Sequence, residues 1–450
     1  LSCPKVGKNS AAKTMHLLRS ILVSGGLALA SLTSASNTLE VNNDQVASST
    51  PSWTGESIYF VLTDRFAPAS SSSPPSTPWC QGKAWCGGTL SSLTSKLPYI
   101  QSLGFTAIWL TPVVEQVPWL DNWNGTAYHG YWAADFNAID PHFGTEADFV
   151  ALTSKAHELG MKVMLDIVAN HVGPVHDLSE VGRLAPELSD PAGEQFNQLP
   201  HPDPVPFSEY LSNPYTMMEA GDSCWPYYDF GPSCNYTVIE KGWFGDLGDL
   251  NHSNPSVRSY LLTWIRGMRE KYDLDGFRLD TALYIPTAFL SELQEAAEVL
   301  ITGEVVMLNV SLHATYQNYL DGLLNFPVTE LIKPAFNSTS GSLIPLASAL
   351  TLQSASGYSN VHTLFNFVDN HDSPRFMSSL LGLTSHNFAN AAAFVFIWHG
   401  VPVWYYGTEV EDVATADDER VSQWDDDGFV EGGGSFAGGL AKRLNRLREE

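Results

Sequence analysis

From Ser57 onward, short apolar, β-rich runs alternate with longer segments of helical character. Eight runs stand out as strand candidates: Ile58–Leu62, Ala107–Thr111, Lys162–Ile167, Gly276–Leu279, Leu300–Gly303, Gly322–Phe326, Thr363–Val368 and Val401–Tyr406. Most are followed by helix-like stretches such as Glu146–Leu159, Pro255–Lys271 and Pro286–Ala297. Eight βα units in series predict an α/β fold, a TIM (β/α)8 barrel. About a hundred residues separate the third run from the fourth, far more than a crossover needs. The stretch from Val172 to Asn251 is rich in Pro, Asp, Ser and aromatics. A structureless loop of that length is unusual in a compact protein, so residues 172–251 read as a small inserted domain. The barrel is then expected over 54–171 and 252–450, behind a polar, flexible lead-in at 36–53.

The N-terminus changes the picture of where the mature chain resides. Met15 opens a short segment with His16 and Arg19, followed by an apolar stretch from Ile21 to Ala30 and the small residues Ser31–Ala35. This is the pattern of a secretory signal peptide over 15–35, too short for a membrane span. Residues 1–14 precede the expected start and are set aside. No other run reaches the roughly 20 apolar residues that spanning requires. Four of the five cysteines form two near pairs, Cys80/Cys86 and Cys224/Cys234. In a secreted chain this suggests two local disulfides; three pairings are formally open, and proximity favours the local one. Sequons begin at Asn124, Asn235, Asn251, Asn309 and Asn337, in keeping with a secreted, extracellular glycoprotein. The formal net charge of −26 disfavours nucleic acid as a partner, because phosphate binding needs clustered Lys and Arg. The same charge keeps a secreted protein soluble by self-repulsion.

The strand ends carry the candidate chemistry. In a TIM barrel the active site lies at the C-terminal ends of the strands. The third run ends in Asp166-Ile167-Val168-Ala169-Asn170-His171, the fourth in Gly276-Phe277-Arg278-Leu279-Asp280, the fifth in Gly303-Glu304-Val305 and the seventh in Asp369-Asn370-His371-Asp372. A structural ion pair explains any one such cluster; four on one rim point to catalysis. Paired carboxylates suit acetal hydrolysis, one attacking the anomeric carbon while its protonated partner serves the leaving oxygen. The fourth and fifth strands are barrel neighbours, which sets Asp280 and Glu304 face to face. Arg278, two residues before Asp280, shares its strand face and favours its ionised form. Glu304 needs a raised pKa, from burial or nearby negative charge.

At these residues the sequence resembles glycoside hydrolase family 13, specifically the Taka-type secreted fungal α-amylases. The resemblance runs from about Ser57 to Glu449 and includes Ser57-Ile58-Tyr59-Phe60, Leu62-Thr63-Asp64-Arg65-Phe66, Gly104-Phe105-Thr106-Ala107-Ile108-Trp109 and Tyr128-His129-Gly130-Tyr131-Trp132. It implies an endo-acting, retaining hydrolase of α-1,4-glucosidic bonds in starch, glycogen or maltooligosaccharides, acting as a monomer. Asp280 matches the nucleophile, Glu304 the acid/base and Asp372 the third carboxylate, which grips substrate hydroxyls. His171 and His371 match histidines on the sugar next to the cleaved bond, Tyr131 the aromatic platform beneath it, with His129 and Trp132 beside it. Arg420 is expected to reach the same subsite, accompanied by Asp417. A structural Ca²⁺ is implied between barrel and inserted domain, with Asn170, Asp249 and the backbone carbonyl of Tyr284 as ligands; hard oxygens suit that ion.

The chain departs from the resemblance at three places. Leu283 and Tyr284 stand where the family carries Lys-His, which touches sugars on the leaving-group side. Gly248 replaces the Pro before the calcium-ligand Asp. The family's C-terminal β-sandwich is not found before Glu450, after the helix-like Leu440–Glu449. The first departure keeps open a cell-wall 4-α-glucanotransferase on the same scaffold. A non-catalytic glucan-binding protein is the third reading; it predicts loss of Asp280, Glu304 or Asp372, and all three are present.

Overall fold

The computed structural model describes residues 52–67, 83–118, 125–184, 188, 190, 192–199, 205–212, 214, 216, 234–336, 341–378, 384–413 and 435–449. Residues from Thr50 onward form one compact unit. Twelve strands are described: β1 (Ile58–Val61), β2 (Ala107–Leu110), β3 (Val114–Gln116), β4 (Ala133–Ile139), β5 (Lys162–Val168), β6 (His171–Pro174), β7 (Leu247–Asp249), β8 (Gly276–Asp280), β9 (Leu300–Gly303), β10 (Gly322–Leu324), β11 (Leu364–Asn366) and β12 (Val401–Tyr405). Eight of them close a barrel in the order β1-β12-β11-β10-β9-β8-β5-β2. Every barrel neighbour pairs in parallel. All eight expected strands are in that ring, so the fold is the (β/α)8 barrel that the eight apolar runs predicted. The remaining four form two antiparallel pairs, β3 with β4 and β6 with β7.

The flanking helices follow from local sequence. The helix Pro255–Tyr272 starts where the Asn254 side chain caps Ser256 N and Pro255 supplies a preset φ. Val257, Leu261, Trp264, Ile265, Met268 and Tyr272 are its buried residues, spaced as one helical face. It stops at Asp273, which adopts φ 52°, and Arg269 and Lys271 place positive charge at the negative end of the helix dipole.

Two packing features lie outside the expected pattern. Trp53, assigned to the flexible lead-in, is buried at 1% exposure. Its indole N–H donates to Asp275 O at 3.3 Å, and its ring lies so close to Gly276 that a Cβ there would meet it at 2.8 Å. The barrel's packing therefore begins one residue before the expected boundary. The second feature is Glu409, fully buried in the turn after β12. Its carboxylate accepts from the hydroxyls of Tyr59 on β1 and Tyr99 on the helix Leu90–Ser102, and from the indole N–H of Trp404 on β12. Burial pushes this carboxyl up from its ordinary range, and the three donors oppose that shift.

Candidate active site

Register builds the site. Asp166 on β5 is paired with Arg278 on β8, and Val168 with Asp280. Arg278 in turn pairs with Thr302, and Leu279 with Gly303, on β9. Side chains two apart on a strand share a face, so Arg278 and Asp280 project into the same space. Glu304 follows one residue beyond β9, its N–H donating to Leu279 O at 2.9 Å. The three carboxylates meet at one guanidinium. Arg278 Nη1 is 2.9 Å from Asp166 Oδ1 and 2.8 Å from Asp280 Oδ1, and Nη2 is 2.8 Å from Glu304 Oε1. The Nη2 contact is an ion pair without hydrogen-bond alignment.

Electrostatics separate the members of this cluster. Burial pushes Glu304 up to about 8, against the pull of Arg278 and with the help of the charges of Asp280 and Asp372. A protonated carboxyl is what a general acid must present at neutral pH. Burial also raises Asp166, to about 7, against the pull of Arg278 and Tyr131. Asp166 accepts from Tyr131 OH at 2.8 Å and from Trp109 Nε1 at 3.1 Å as well as from Arg278. It is the hub that ties the aromatic wall to the guanidinium, and no role was expected of it.

The residue after Asp280 has an unusual backbone. Thr281 adopts φ 49°, in a region that β-branched residues rarely enter, at a cost of about 1–3 kcal/mol. The turn aims its N–H at Glu304 Oε2, 2.9 Å away. One strained residue thus links the loop after β8 to the carboxyl after β9.

Around these groups lies a cleft lined by Leu62, Tyr128, His129, Tyr131, Trp132, His171, Phe244, Leu247, Asp280, Thr281, His371 and Asp372. It gathers Asp280, Asp372, His129, Tyr131, Trp132, His171 and His371 from the sequence-predicted set, with Arg278 and Glu304 joined to Asp280 by the ion pairs above. Tyr131 stacks on His371 with centroids 5.3 Å apart and planes at 13°. His371 Nε2 is 3.4 Å from Asp372 Oδ2. His129 accepts from Tyr131 N at 3.0 Å, and burial, with His371 nearby, pushes it down to about 3. Burial lowers His171 too, against the pull of Asp280. His129 and His171 therefore meet a ligand as neutral rings able to accept as well as donate. Asp417 and Arg420 lie outside the described residues.

The residues expected to hold a metal fit one in part. Asn170 Oδ1 is buried without a hydrogen-bond partner among the described residues. Beside it, Asp249 is 2% exposed, its carboxylate accepting from Asn170 Nδ2 at 3.2 Å and Asn197 Nδ2 at 2.9 Å. Burial pushes Asp249 well above its ordinary value, and the two amides only partly offset it. An orphaned oxygen next to an uncompensated carboxyl is a donor set for a hard cation. Among the described residues no group of three or more His, Cys, Asp or Glu could hold a metal. The ring of Tyr284 packs edge to face on Phe244. At Gly248, where the resembled family carries Pro, a Cβ would come within 2.8 Å of the Phe196 side chain and 2.9 Å of the Val172 side chain, so a larger residue there requires its neighbours to shift. Cys86 and Cys234 are each disulfide-bonded; Cys80 and Cys224 lie outside the described residues, as do the proposed leader over 15–35 and the sequons at Asn124 and Asn337.

With this geometry in place, similarity to known proteins decides the family. The alpha-amylase catalytic-domain family matches residues 60–428. The chain belongs to the alpha-amylase family. It is 34% identical over 398 residues to alpha-amylase 2 of Schwanniomyces occidentalis, covering 86% of this chain and 71% of that one. It superposes on an alpha-amylase from Malbranchea cinnamomea with a TM-score of 0.73 at 29% identity, covering 88% of this chain and 77% of that one. It superposes on a cyclomaltodextrin glucanotransferase with a TM-score of 0.70 at 30% identity, covering 88% and 80%. The chain spans 71%, 52%, 65% and 54% of the length of four curated relatives it matches. Among the described residues no helix is long and apolar enough to cross a membrane.

Proposed function

We propose that this chain is a secreted α-amylase that cleaves internal α-1,4-glucosidic bonds of starch-like glucans by retaining double displacement. The observation that carries the reading is the pair Asp280 and Glu304 on adjoining strands, held by the two terminal nitrogens of Arg278. A retaining mechanism needs carboxyls roughly 5–5.5 Å apart, and two groups on one planar guanidinium suit that spacing. Asp280 attacks the anomeric carbon while Glu304 gives its proton to the leaving oxygen. Glu304 then takes a proton from water as water displaces Asp280. Asp372 grips substrate hydroxyls, with His129, His171 and His371 beside it and Tyr131 and Trp132 as the aromatic floor. Asp417 and Arg420 are assigned to the same subsite.

A product time course on maltoheptaose, with the anomeric form followed by NMR, tests this. Shorter maltooligosaccharides released first as the α-anomer are expected. First release of the β-anomer, or no product, would overturn it.

Residues 172–251 are read as the calcium-binding insertion, with Asn170, Asp249 and the Tyr284 carbonyl as ligands. The ion would supply counter-charge to Asp249 and join the β6–β7 pair to the barrel. A ligand bound only by the folded state, present at a hundred times its Kd, stabilises by about 2.7 kcal/mol. Chelation followed by calorimetry should therefore lower Tm, and added Ca²⁺ should restore it. An unmoved Tm would remove the calcium assignment.

A further inference from the structure

Strand β11 ends at Asn366, and His371 and Asp372 lie on the loop beyond it. The Asp372 side chain is 54% exposed, so close packing does not hold it in place. Two bonds shape the loop from within. Asp372 N–H donates to Asn370 Oδ1 at 3.1 Å, and Phe376 N–H to Asp369 Oδ2 at 2.6 Å. Neither fixes the loop to the barrel. Lys333, on the helix Phe326–Ala335, does so from one side by donating to Pro374 O at 3.0 Å.

Arg375 does so from beneath. It follows Asp372 closely in the chain, turns inward and is 1% exposed. Its guanidinium lies over the rings of Tyr405 and Tyr406, 4.1 and 5.2 Å from their centroids. Nη1 donates to Thr408 Oγ1 at 3.2 Å, and Nη2 is 3.1 Å from Asp412 Oδ2. The fit is close, since a Cβ on Gly407 would meet Nη2 at 3.0 Å. These partners belong to β12 and the turn after it, the turn that Glu409 clasps to Tyr59 and Tyr99. Stability alone would not call for a cation here, because burying an ion pair carries a desolvation cost that a packed apolar side chain avoids. What the planar fork adds is direction: it faces hydroxyl, carboxylate and rings in one fixed pose.

We propose that Arg375 is a positioning residue for Asp372. By fastening the loop after β11 to the turn after β12, it sets where that carboxylate meets the hydroxyls of a bound glucan. The proposal rests on the hydrolase reading above and adds no group to its chemistry.

The test is a double-mutant cycle in kcat/KM on maltoheptaose, run with the full chain. Arg375→Met keeps an unbranched stem and removes the fork. It should lower kcat/KM about a hundredfold, the effect of a misplacement of roughly 1 Å. In an Asp372→Asn background the same change should cost less than about threefold, because no carboxylate remains to be placed; independent residues would keep their full separate effects. Arg375→Lys, which keeps the charge without the fork, should fall between wild type and Arg375→Met. Should Arg375→Met fail to fold, Thr408→Val decides the matter: it leaves the ion pair with Asp412 and removes the hydroxyl that accepts from Nη1. It should lower kcat/KM in the wild type and leave that of Asp372→Asn where it was. A folded Arg375→Met within twofold of wild type would overturn the proposal alone, as would an equal loss in both backgrounds or a Thr408→Val without effect; Arg375 would then be a structural cation only. A wild type that releases no product from maltoheptaose would overturn the hydrolase reading, and this one with it.

Discussion

Glu304→Gln should lower kcat on maltoheptaose by about 10²–10⁴-fold, the range that a positioned general acid contributes. Gln keeps the shape of the side chain and its contact with Thr281 N–H, but has no proton to give. Binding of the glucan should persist, since Asp372 and the Tyr131–His371 stack are untouched. A substrate whose leaving group departs unprotonated, such as an activated aryl maltoside, should recover much of the first step. The pH profile gives an independent reading. Glu304 is raised, so its active, protonated form persists through neutrality and is lost as the pH rises through the shifted value. Wild-type kcat/KM should show an alkaline limb on that side, and the variant should lack it. Full activity in Glu304→Gln would remove the role assigned to this carboxyl.

Arg278→Met should be costly in a different way. It strips the shared cation from Asp166, Asp280 and Glu304, all three buried. Removing one partner of a buried ion pair typically destabilises by about 3–5 kcal/mol, and Arg278 serves three. The midpoint of urea unfolding at pH 7 should fall accordingly, and kcat/KM should drop by more than a hundredfold because Asp280 and Glu304 lose their fixed geometry. Arg278→Lys should recover only part of either quantity, since a single ammonium cannot span three carboxylates as a planar fork does. A loss of stability below about 1 kcal/mol, the scale of an exposed pair, would show that the cluster is not held by this residue.

The sequence made the barrel readable because its strands are short, apolar and separated by helices, and every expected strand took its place in the ring. Trp53 escaped notice because the residues before it are polar and offer no periodicity; its burial is decided by Asp275 and Gly276, 222 residues or more away. The β3–β4 pair was equally silent, since Val114-Glu115-Gln116 is too short to alternate visibly. In the site, Asp280 and Glu304 were legible because each stands at the end of a strand-like run, and Asp372 because it closes the polar cluster Asp369-Asn370-His371-Asp372 that follows one. Asp166 was visible at a strand end, but its hub role depends on register with Arg278, which no local pattern encodes. Phe244 reads as one more core aromatic until the segment around it folds against the cleft. Thr281 gives no sign in the local sequence of its left-handed backbone, which goes with an N–H aimed at Glu304.

The buried carboxylate of Glu409 has a consequence for how the molecule comes into being. Its partner Tyr59 precedes it by 350 residues, and strands β1 and β12 meet at the seam that these groups clasp. A ribosome adding roughly 5–20 residues per second needs on the order of 20–70 s to deliver Glu409 after Tyr59. Throughout that interval β1 has β2 on one side and an open edge on the other, with apolar residues on a strand that wants a second neighbour. The nascent barrel is therefore exposed to mispairing until β12 emerges, and a brief lapse in folding assistance during synthesis should harm yield far more than the same lapse after the seam has shut.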